Sequence, residues 1–257
     1  MTVHLPALSI IPFFMVLARV GGLMVFAPFL GSGAIAPTIR IVFSFAFSIV
    51  LFPLVQEQVP ETSINFLALV LLLAGELLIG MVLGFVGQLL LASLQIAGQV
   101  MGVQMGFGVI NIIDPQTQVE TPVLSILYNL IGILLFLSLN AHHWFIEAIV
   151  ASYELVPGFG FSSGLFDLLM KSTAGMFLLA VQIAAPVVAI LLIVDILIGI
   201  VGRMAPQIHV LIIGMPAKSL IGFIFLAATM HAFIPFVGRH ISSLQENLYI
   251  YLKAMGA

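Results

Sequence analysis

Histidine, aspartate and glutamate are the side chains that most often bind metal ions or act as acids and bases. His142, His143 and Glu147 come closest to a metal-site pattern, because His143 and Glu147 lie one helical turn apart. A third suitably spaced ligand is missing, and so is the HExxH order of zinc proteases. We therefore predict neither a metal site nor a catalytic site here, and expect these residues to cap a helix near Trp144 at a membrane interface.

Glu76 is a single charge inside a long apolar stretch, and Gly80 and Gly84 follow it at one-turn intervals. A carboxylate in such surroundings is costly unless a partner neutralises it. Glu76 could relay protons or ions, or it could form a buried contact between helices or subunits. The packing interpretation is favoured, because relay carboxylates usually have polar neighbours along the same path.

A second glycine series, Gly98, Gly102 and Gly106, repeats the one-turn spacing and includes Gln99 and Gln104 among its neighbours. Small residues at this spacing let helices approach closely. The same residues could instead line a water-filled channel. Packing is again the favoured interpretation, and neither interpretation requires catalysis.

The segment that follows is apolar, yet it contains glycines and the helix-breaking pair Asp114-Pro115. Irregular backbone at membrane depth persists only where protein or a water-filled cavity surrounds it. A plug or gate loop and an ordinary surface loop both fit this pattern. The candidate gate residues are Gly106, Phe107, Val109, Ile110, Ile112, Ile113, Asp114 and Pro115.

Three further charges come late in the chain. Asp195 and Arg203 share one helical face with Gly199, but they are two turns apart, too far for a direct ion pair on one helix. Lys218 follows after Pro206 and Pro216. We therefore expect the partners of these charges on other helices or on other chains.

The composition shows which surroundings these residues occupy. Of 257 residues, 62% are hydrophobic and only 7% are charged, whereas soluble proteins have about 25% charged residues. Ten acidic and seven basic side chains cannot cover a water-soluble domain of this size. A net charge of −3 excludes a nucleic-acid surface, and the absence of cysteine excludes disulfides and thiol chemistry within the chain.

Breaker residues bracket six apolar runs, and a bilayer span needs about 20 apolar residues. This predicts an all-α polytopic membrane protein of about six long, partly kinked helices arranged as hairpins, with a kink or local break at Pro186. No Lys or Arg precedes the first run, so we expect it to be retained rather than cleaved. Lys and Arg fall evenly on both sides of the spans, so charge does not predict their orientation. The runs cover residues 8–30, 37–52, 64–105, 123–151, 165–201 and 209–237.

A series of short landmarks extends over nearly the whole chain. They are Arg19, Pro28, Pro37, Arg40, the run Gly75-Glu76-Leu77-Leu78-Ile79-Gly80, Gly84-Phe85, Gly98-Gln99, Gln104, Gly106, Asp114-Pro115, Asn140-Ala141-His142, Ala185-Pro186, Asp195, Gly199, Arg203, Pro206-Gln207, Pro216 and Lys218. Each landmark is weak alone, but their order and spacing are specific. In this order and spacing the chain resembles the FliR family of flagellar biosynthesis and type III secretion proteins.

The resemblance implies a non-enzymatic, pore-forming subunit of the flagellar type III export gate, without a cofactor. It implies a coiled assembly with FliP- and FliQ-type subunits, contact with an FlhB-type protein and with membrane lipid, and passage of unfolded flagellar proteins. The implied location is the bacterial inner membrane at the flagellar basal body. By the same resemblance, residues 1–180 are FliP-like, residues 181–257 form a FliQ-like hairpin and tail, and the loop 106–120 plugs the pore.

The residues expected in pore or inter-subunit packing are Glu76, Gly80, Gly84, Gly98, Gln99, Gly102, Gln104, Asp195, Arg203 and Lys218. Two alternatives remain. The chain could belong to a virulence type III secretion gate of the same family. It could also be an ion-coupled secondary transporter with Glu76 and Asp195 as ion ligands, although no inverted repeat is visible between its halves.

Overall fold

The computed structural model describes residues 10–28, 36–56, 66–107, 123–156, 163–205 and 210–256, without the side chains of residues 163 and 210–212. Within these ranges the chain forms eight α-helices and no strand, which confirms the predicted all-α class. The helices are α1 (Ile10–Phe26), α2 (Pro37–Val55), α3 (Phe66–Gln104), α4 (Val123–Ser138), α5 (Ala141–Leu155), α6 (Ser163–Met204), α7 (Val210–Ser242) and α8 (Leu244–Gly256).

Several helical segments are long and apolar enough to cross a membrane. Four pass this test among the described residues, and α4 with α5 would make a fifth if the two count as one span. The 39 residues of α3 extend about 58 Å at about 1.5 Å per residue, roughly twice the thickness of the hydrocarbon core. These lengths confirm a polytopic membrane protein with long helices. The four segments are Pro37–Val55, Phe66–Gln104, Gly164–Met204 and Ile213–Gly256.

The predicted fourth run, residues 123–151, is two helices rather than one. α4 and α5 meet at an angle of 65°, and Asn140 between them has a φ of 56°, in the left-handed region. Asparagine tolerates this conformation better than most residues. Hydropathy alone does not reveal the bend, because one asparagine hardly changes an apolar run of this length.

Prolines lie inside three helices without ending them. α2 continues past Pro53 to Val55 instead of stopping at residue 52. α6 runs unbroken through Pro186, and α7 contains Pro216 and Pro235. Each proline removes one backbone hydrogen bond but does not end its helix. Of the two distortions expected at Pro186, a local break is therefore excluded.

The chain divides into two compact units, neither of which is continuous in sequence. The first unit comprises Met1–Leu89, Leu137–Ser172 and Ile241–Ala257. In this unit α1 packs on α2, and α5 packs on both α2 and α8. Its most buried apolar side chains include Val16, Val20, Ile79, Leu83, Ile149 and Leu248.

The second unit comprises Leu90–Phe136 and Thr173–His240. It contains the last part of α3, nearly all of α4 and most of α6 and α7. The rings of Tyr128 on α4 and Phe233 on α7 meet edge to face, with centroids 4.9 Å apart. Many apolar side chains of α6 are exposed, as expected of a surface that lipid or another chain covers. They include Leu178, Val181, Ile193, Ile196 and Leu197.

Candidate functional site

The glycines after Glu76 bring two helices of the first unit into backbone contact. A Cβ atom built on Gly80 would overlap the carbonyl oxygen of Arg19 on α1, and one built on Gly84 would lie 2.6 Å from the carbonyl oxygen of Leu23. Gly22 on α1 faces the backbone of α3 in the same way. Small residues on both helices therefore allow α1 and α3 to approach more closely than side chains would permit.

This close approach places Glu76 beside an arginine. The Nε of Arg19 donates a hydrogen bond to Oε2 of Glu76 at 2.5 Å, and the two side chains are only 1% and 4% exposed. A buried charge is tolerated where an opposite charge and hydrogen bonds compensate for lost hydration. The partner that Glu76 requires is thus supplied by α1 of the same chain.

Arg19 also binds two groups of the α5 segment. Its Nη1 donates to Oγ of Ser152 at 2.8 Å, and its Nη2 donates to the carbonyl oxygen of Val156 at 3.2 Å. The guanidinium carbon lies 4.0 Å from the ring centroid of Tyr153, a cation–π distance. All three guanidinium nitrogens therefore have partners, and one side chain joins α1, α3 and α5.

A proton relay through Glu76 has little support in this arrangement. The guanidinium group of Arg19 does not release protons in proteins. The hydroxyl oxygen of Tyr153 is buried and has no hydrogen-bond partner in the described part of the chain. Together these observations favour the packing interpretation of Glu76 over the relay interpretation.

In the second unit, the other glycine series lies partly against α4. A Cβ atom on Gly98 would lie 2.6 Å from both the carbonyl oxygen of Leu124 and the Cα of Ser125. Oγ of Ser125 donates to the carbonyl oxygen of Gln95 at 2.9 Å, and the amide of Gln95 donates to Asn129 at 2.9 Å. Gly98 is therefore a packing position between α3 and α4. Gly102 is buried, Gln104 is half-buried and Gln99 is exposed.

Met105 and the first residues of the predicted plug loop, Gly106 and Phe107, lie next to α7. Oγ of Ser219 donates to the carbonyl oxygen of Met105 at 2.8 Å. The side chain of Met105 lies across Gly222, where an added Cβ would be 2.7 Å from the Met105 Cγ. Gly106 has a φ of +93°, which favours glycine, and the rings of Phe107 and Phe223 meet edge to face at 5.9 Å. The other candidate gate residues, Val109, Ile110, Ile112, Ile113, Asp114 and Pro115, lie outside the described residues.

Asp195 pairs with Lys218, a residue on the neighbouring helix. Nζ of Lys218 lies 2.7 Å from Oδ1 of Asp195 and 2.9 Å from Oδ2. The lysine side chain is 17% exposed, whereas the aspartate side chain is 41% exposed. Arg203, two turns further along α6, is exposed near the end of that helix.

His142 and His143 of the first unit lie side by side, with ring centroids 4.2 Å apart and ring planes tilted by 44°. Nδ1 of His142 is buried and has no hydrogen-bond partner among the described residues, and Glu147 accepts a hydrogen bond from the Gln245 amide at 3.3 Å. Within the described ranges, no three His, Asp or Glu side chains form a group that could hold a metal ion. Nothing in this geometry suggests an acid, a base or a nucleophile acting on a substrate.

The sequence indicated that Glu76 needs a partner but did not identify it. Arg19 lies 57 residues earlier and Ser152 lies 133 residues after Arg19, so no local spacing connects them. Arg19 is a charge inside an apolar run, as Glu76 is, and that common feature is the signal that could have paired them. Ser219 and Gly222 of α7, which contact Met105, were not predicted. The sequence contains no comparable signal for this contact.

The chain is similar in sequence to known bacterial export proteins. The family described as bacterial export proteins, family 1, matches residues 10–244. A flagellar biosynthetic protein FliR from Bacillus subtilis (strain 168) is 34% identical over 250 residues, which is 95% of each chain. The FliR protein of Escherichia coli (strain K12) is 32% identical over 92% of this chain and 90% of that protein. The FliR protein of Caulobacter vibrioides is 30% identical over 84% of this chain and 87% of that protein.

Proposed function

The chain belongs to the family 1 bacterial export proteins, and we propose that it is the pore-forming structural subunit of a flagellar type III protein export gate. The match over residues 10–244, together with FliR relatives aligned over most of both chains, carries this proposal. Such a subunit has a structural role: its helices pack around a passage through which unfolded flagellar proteins move across the membrane.

The structure supports a conduit subunit rather than an ion-coupled transporter. Glu76, one of the two candidate ion ligands, already binds Arg19 and is buried. Asp195, the other, already binds Lys218. A coupling site built from both carboxylates would need Glu76 to be available to a cation, whereas the buried Glu76 already binds Arg19. The relatives named above are flagellar proteins, which favours the flagellar branch over the virulence branch.

The proposed gate also implies particular neighbours, a location and two structural parts for this chain. FliP- and FliQ-type subunits are the expected neighbours, with an FlhB-type protein in contact, in the bacterial inner membrane at the basal body. Residues 1–180 remain the proposed FliP-like part and residues 181–257 the proposed FliQ-like part. The exposed apolar surface of the long helices supports an assembly in which other chains or lipid cover it.

Co-purification tests the assembly. A tagged copy of the chain is extracted from membranes in mild detergent, purified, and its partners are identified by mass spectrometry. We expect FliP- and FliQ-type proteins in a constant ratio to the tagged chain, because the proposed gate is an assembly of fixed composition. A lone monomer or a homodimer would contradict the proposal and would favour a transporter instead.

The proposed plug loop 106–120 is tested by a deletion. Removing residues 107–113 should raise the permeability of cells to small solutes several-fold, because the apolar stopper of the pore is lost. As a control, residues 116–119 of the same loop are replaced by Gly and Ser, which should leave permeability low. Unchanged permeability in cells that contain normal amounts of the deletion variant's complex would reject the plug assignment.

A further inference from the structure

The Asp195 carboxylate has more hydrogen-bonding capacity than the described part of the chain uses. A carboxylate offers about four acceptor sites on its two oxygens, and one ammonium group, that of Lys218, serves both oxygens. The aspartate is also the more open partner, at 41% exposure against 17% for the lysine. An additional donor could therefore reach the carboxylate from outside the chain without displacing Lys218.

The residues next to Asp195 on the same face of α6 are apolar or lack a side chain. Leu192 and Ile196 are exposed, and Ile196 has 64% of its surface open. Water would solvate the carboxylate but would leave the apolar side chains exposed. Lipid would cover the apolar side chains but would leave the half-exposed carboxylate without hydrogen-bond donors. A protein helix with an apolar face and one polar donor would suit both.

Gly199 completes this face, one turn after Asp195. A Cβ atom added to Gly199 would meet no atom within 4 Å, so nothing inside the described structure requires a glycine there. The nearby Gly214 differs, because its added Cβ would lie 3.3 Å from a methyl group of Ile198 on α6. A glycine inside a helix costs about 1 kcal/mol relative to alanine, and a closely approaching outside helix would explain its presence.

We propose that the face formed by Leu192, Asp195, Ile196 and Gly199 binds an apolar helix of another subunit, which presents a basic side chain to Asp195. We name it the Asp195 face. This inference rests on the proposed function for the existence of other subunits and goes beyond it by specifying the surface and the chemistry of the partner. Lys218 holds the carboxylate in place and neutralises it, and the partner's basic group binds the acceptor sites that Lys218 leaves open.

Charge reversal separates the contact inside the chain from the contact with a partner. The double variant Asp195→Lys and Lys218→Asp restores an ion pair between α6 and α7 but presents a positive charge outward. We expect recovery of the assembled complex to fall about tenfold, because like charges at an interface oppose association. Lys218→Ala, which leaves the outward carboxylate in place, should reduce recovery much less. Recovery of the double variant at the unaltered protein's level would overturn the inference.

A second experiment keeps the native charges and so does not depend on the folding of the double variant. A photo-reactive amino acid replaces Ile196 in the full chain, and cross-links are formed in intact cells and located by mass spectrometry. Cross-links to a helix of another chain, with Lys, Arg or His within one turn of the linked residue, are expected. Cross-links only to lipid, to this chain, or to a segment without a basic residue would overturn the inference.

A steric variant provides a matched control. Gly199→Leu should lower complex recovery, whereas Val201→Phe, which enlarges an exposed side chain on the opposite side of the same helix, should not. Equal recovery of the two variants would overturn the inference. If the unaltered chain co-purifies with no other subunit, the proposed function itself fails. If it does co-purify and Ile196 cross-links only to lipid, only the Asp195 face fails.

Discussion

The Arg19–Glu76 ion pair of the first unit and the Asp195–Lys218 ion pair of the second unit differ in how far each is buried among the described residues. In the first unit, Arg19 and Glu76 are almost fully buried, and Arg19 also binds Ser152 and the Val156 carbonyl. In the second unit, Asp195 and Lys218 contact each other but remain partly exposed. Burial with a hydrogen bond from every guanidinium nitrogen indicates a structural joint, whereas partial exposure leaves capacity for another molecule.

The glycines show the same contrast. In the first unit, Gly22, Gly80 and Gly84 are needed because helix backbones meet at these positions. In the second unit, Gly98 has such a role, but Gly175 and Gly199 face open space. A glycine series in a membrane helix therefore has two meanings. It can mark contact inside the chain, or it can mark a surface available to another helix.

The largest effect that distinguishes the units is expected from removing one member of each ion pair. Arg19→Ala should destabilise the chain by about 3–5 kcal/mol, because it leaves Glu76 charged and buried without its partner. Lys218→Ala should cost at most about 1 kcal/mol, since partly exposed pairs contribute little. Denaturant titration of the purified chain in mild detergent compares the two variants.

A double variant provides the control for that comparison. Replacing Arg19 by Met and Glu76 by Leu removes both charges and should recover much of the lost stability, because apolar side chains of similar volume can replace a buried pair. If Arg19→Ala proved no more harmful than Lys218→Ala, burial would not be what separates the two pairs, and the comparison between the units would lose its basis.

A smaller effect is expected from filling space at a helix contact. Gly80→Ala should destabilise the chain by about 1–3 kcal/mol, because its methyl group would overlap the Arg19 carbonyl oxygen and push α1 away from α3. The matched control is Gly21→Ala on α1, where nothing lies within 4 Å and where alanine should be neutral or slightly stabilising. Thermal denaturation in detergent measures both variants, and equal shifts would argue against backbone contact at Gly80.

Several features of the fold and site could be predicted because they depend on short stretches of sequence. The long apolar helices follow from runs of hydrophobic residues, and the start of the irregular segment at Gly106 follows from its glycine. The need of Glu76 for a partner follows from its apolar neighbours. The bend at Asn140 could not be predicted, because one left-handed residue is compatible with a hydrophobic run on either side.

The membrane class, the approximate helices and the family resemblance can be read from the amino-acid sequence, since all three depend on composition and on the linear order of residues. The pairing of the charges, the glycines that form contacts inside the chain and the contact of α7 with Met105 are visible only in the folded chain. These choices depend on helices that are far apart in sequence and touch only after folding. The packing of α1 against α3 therefore brings Arg19 to Glu76, while the packing of α6 against α7 leaves Asp195 open.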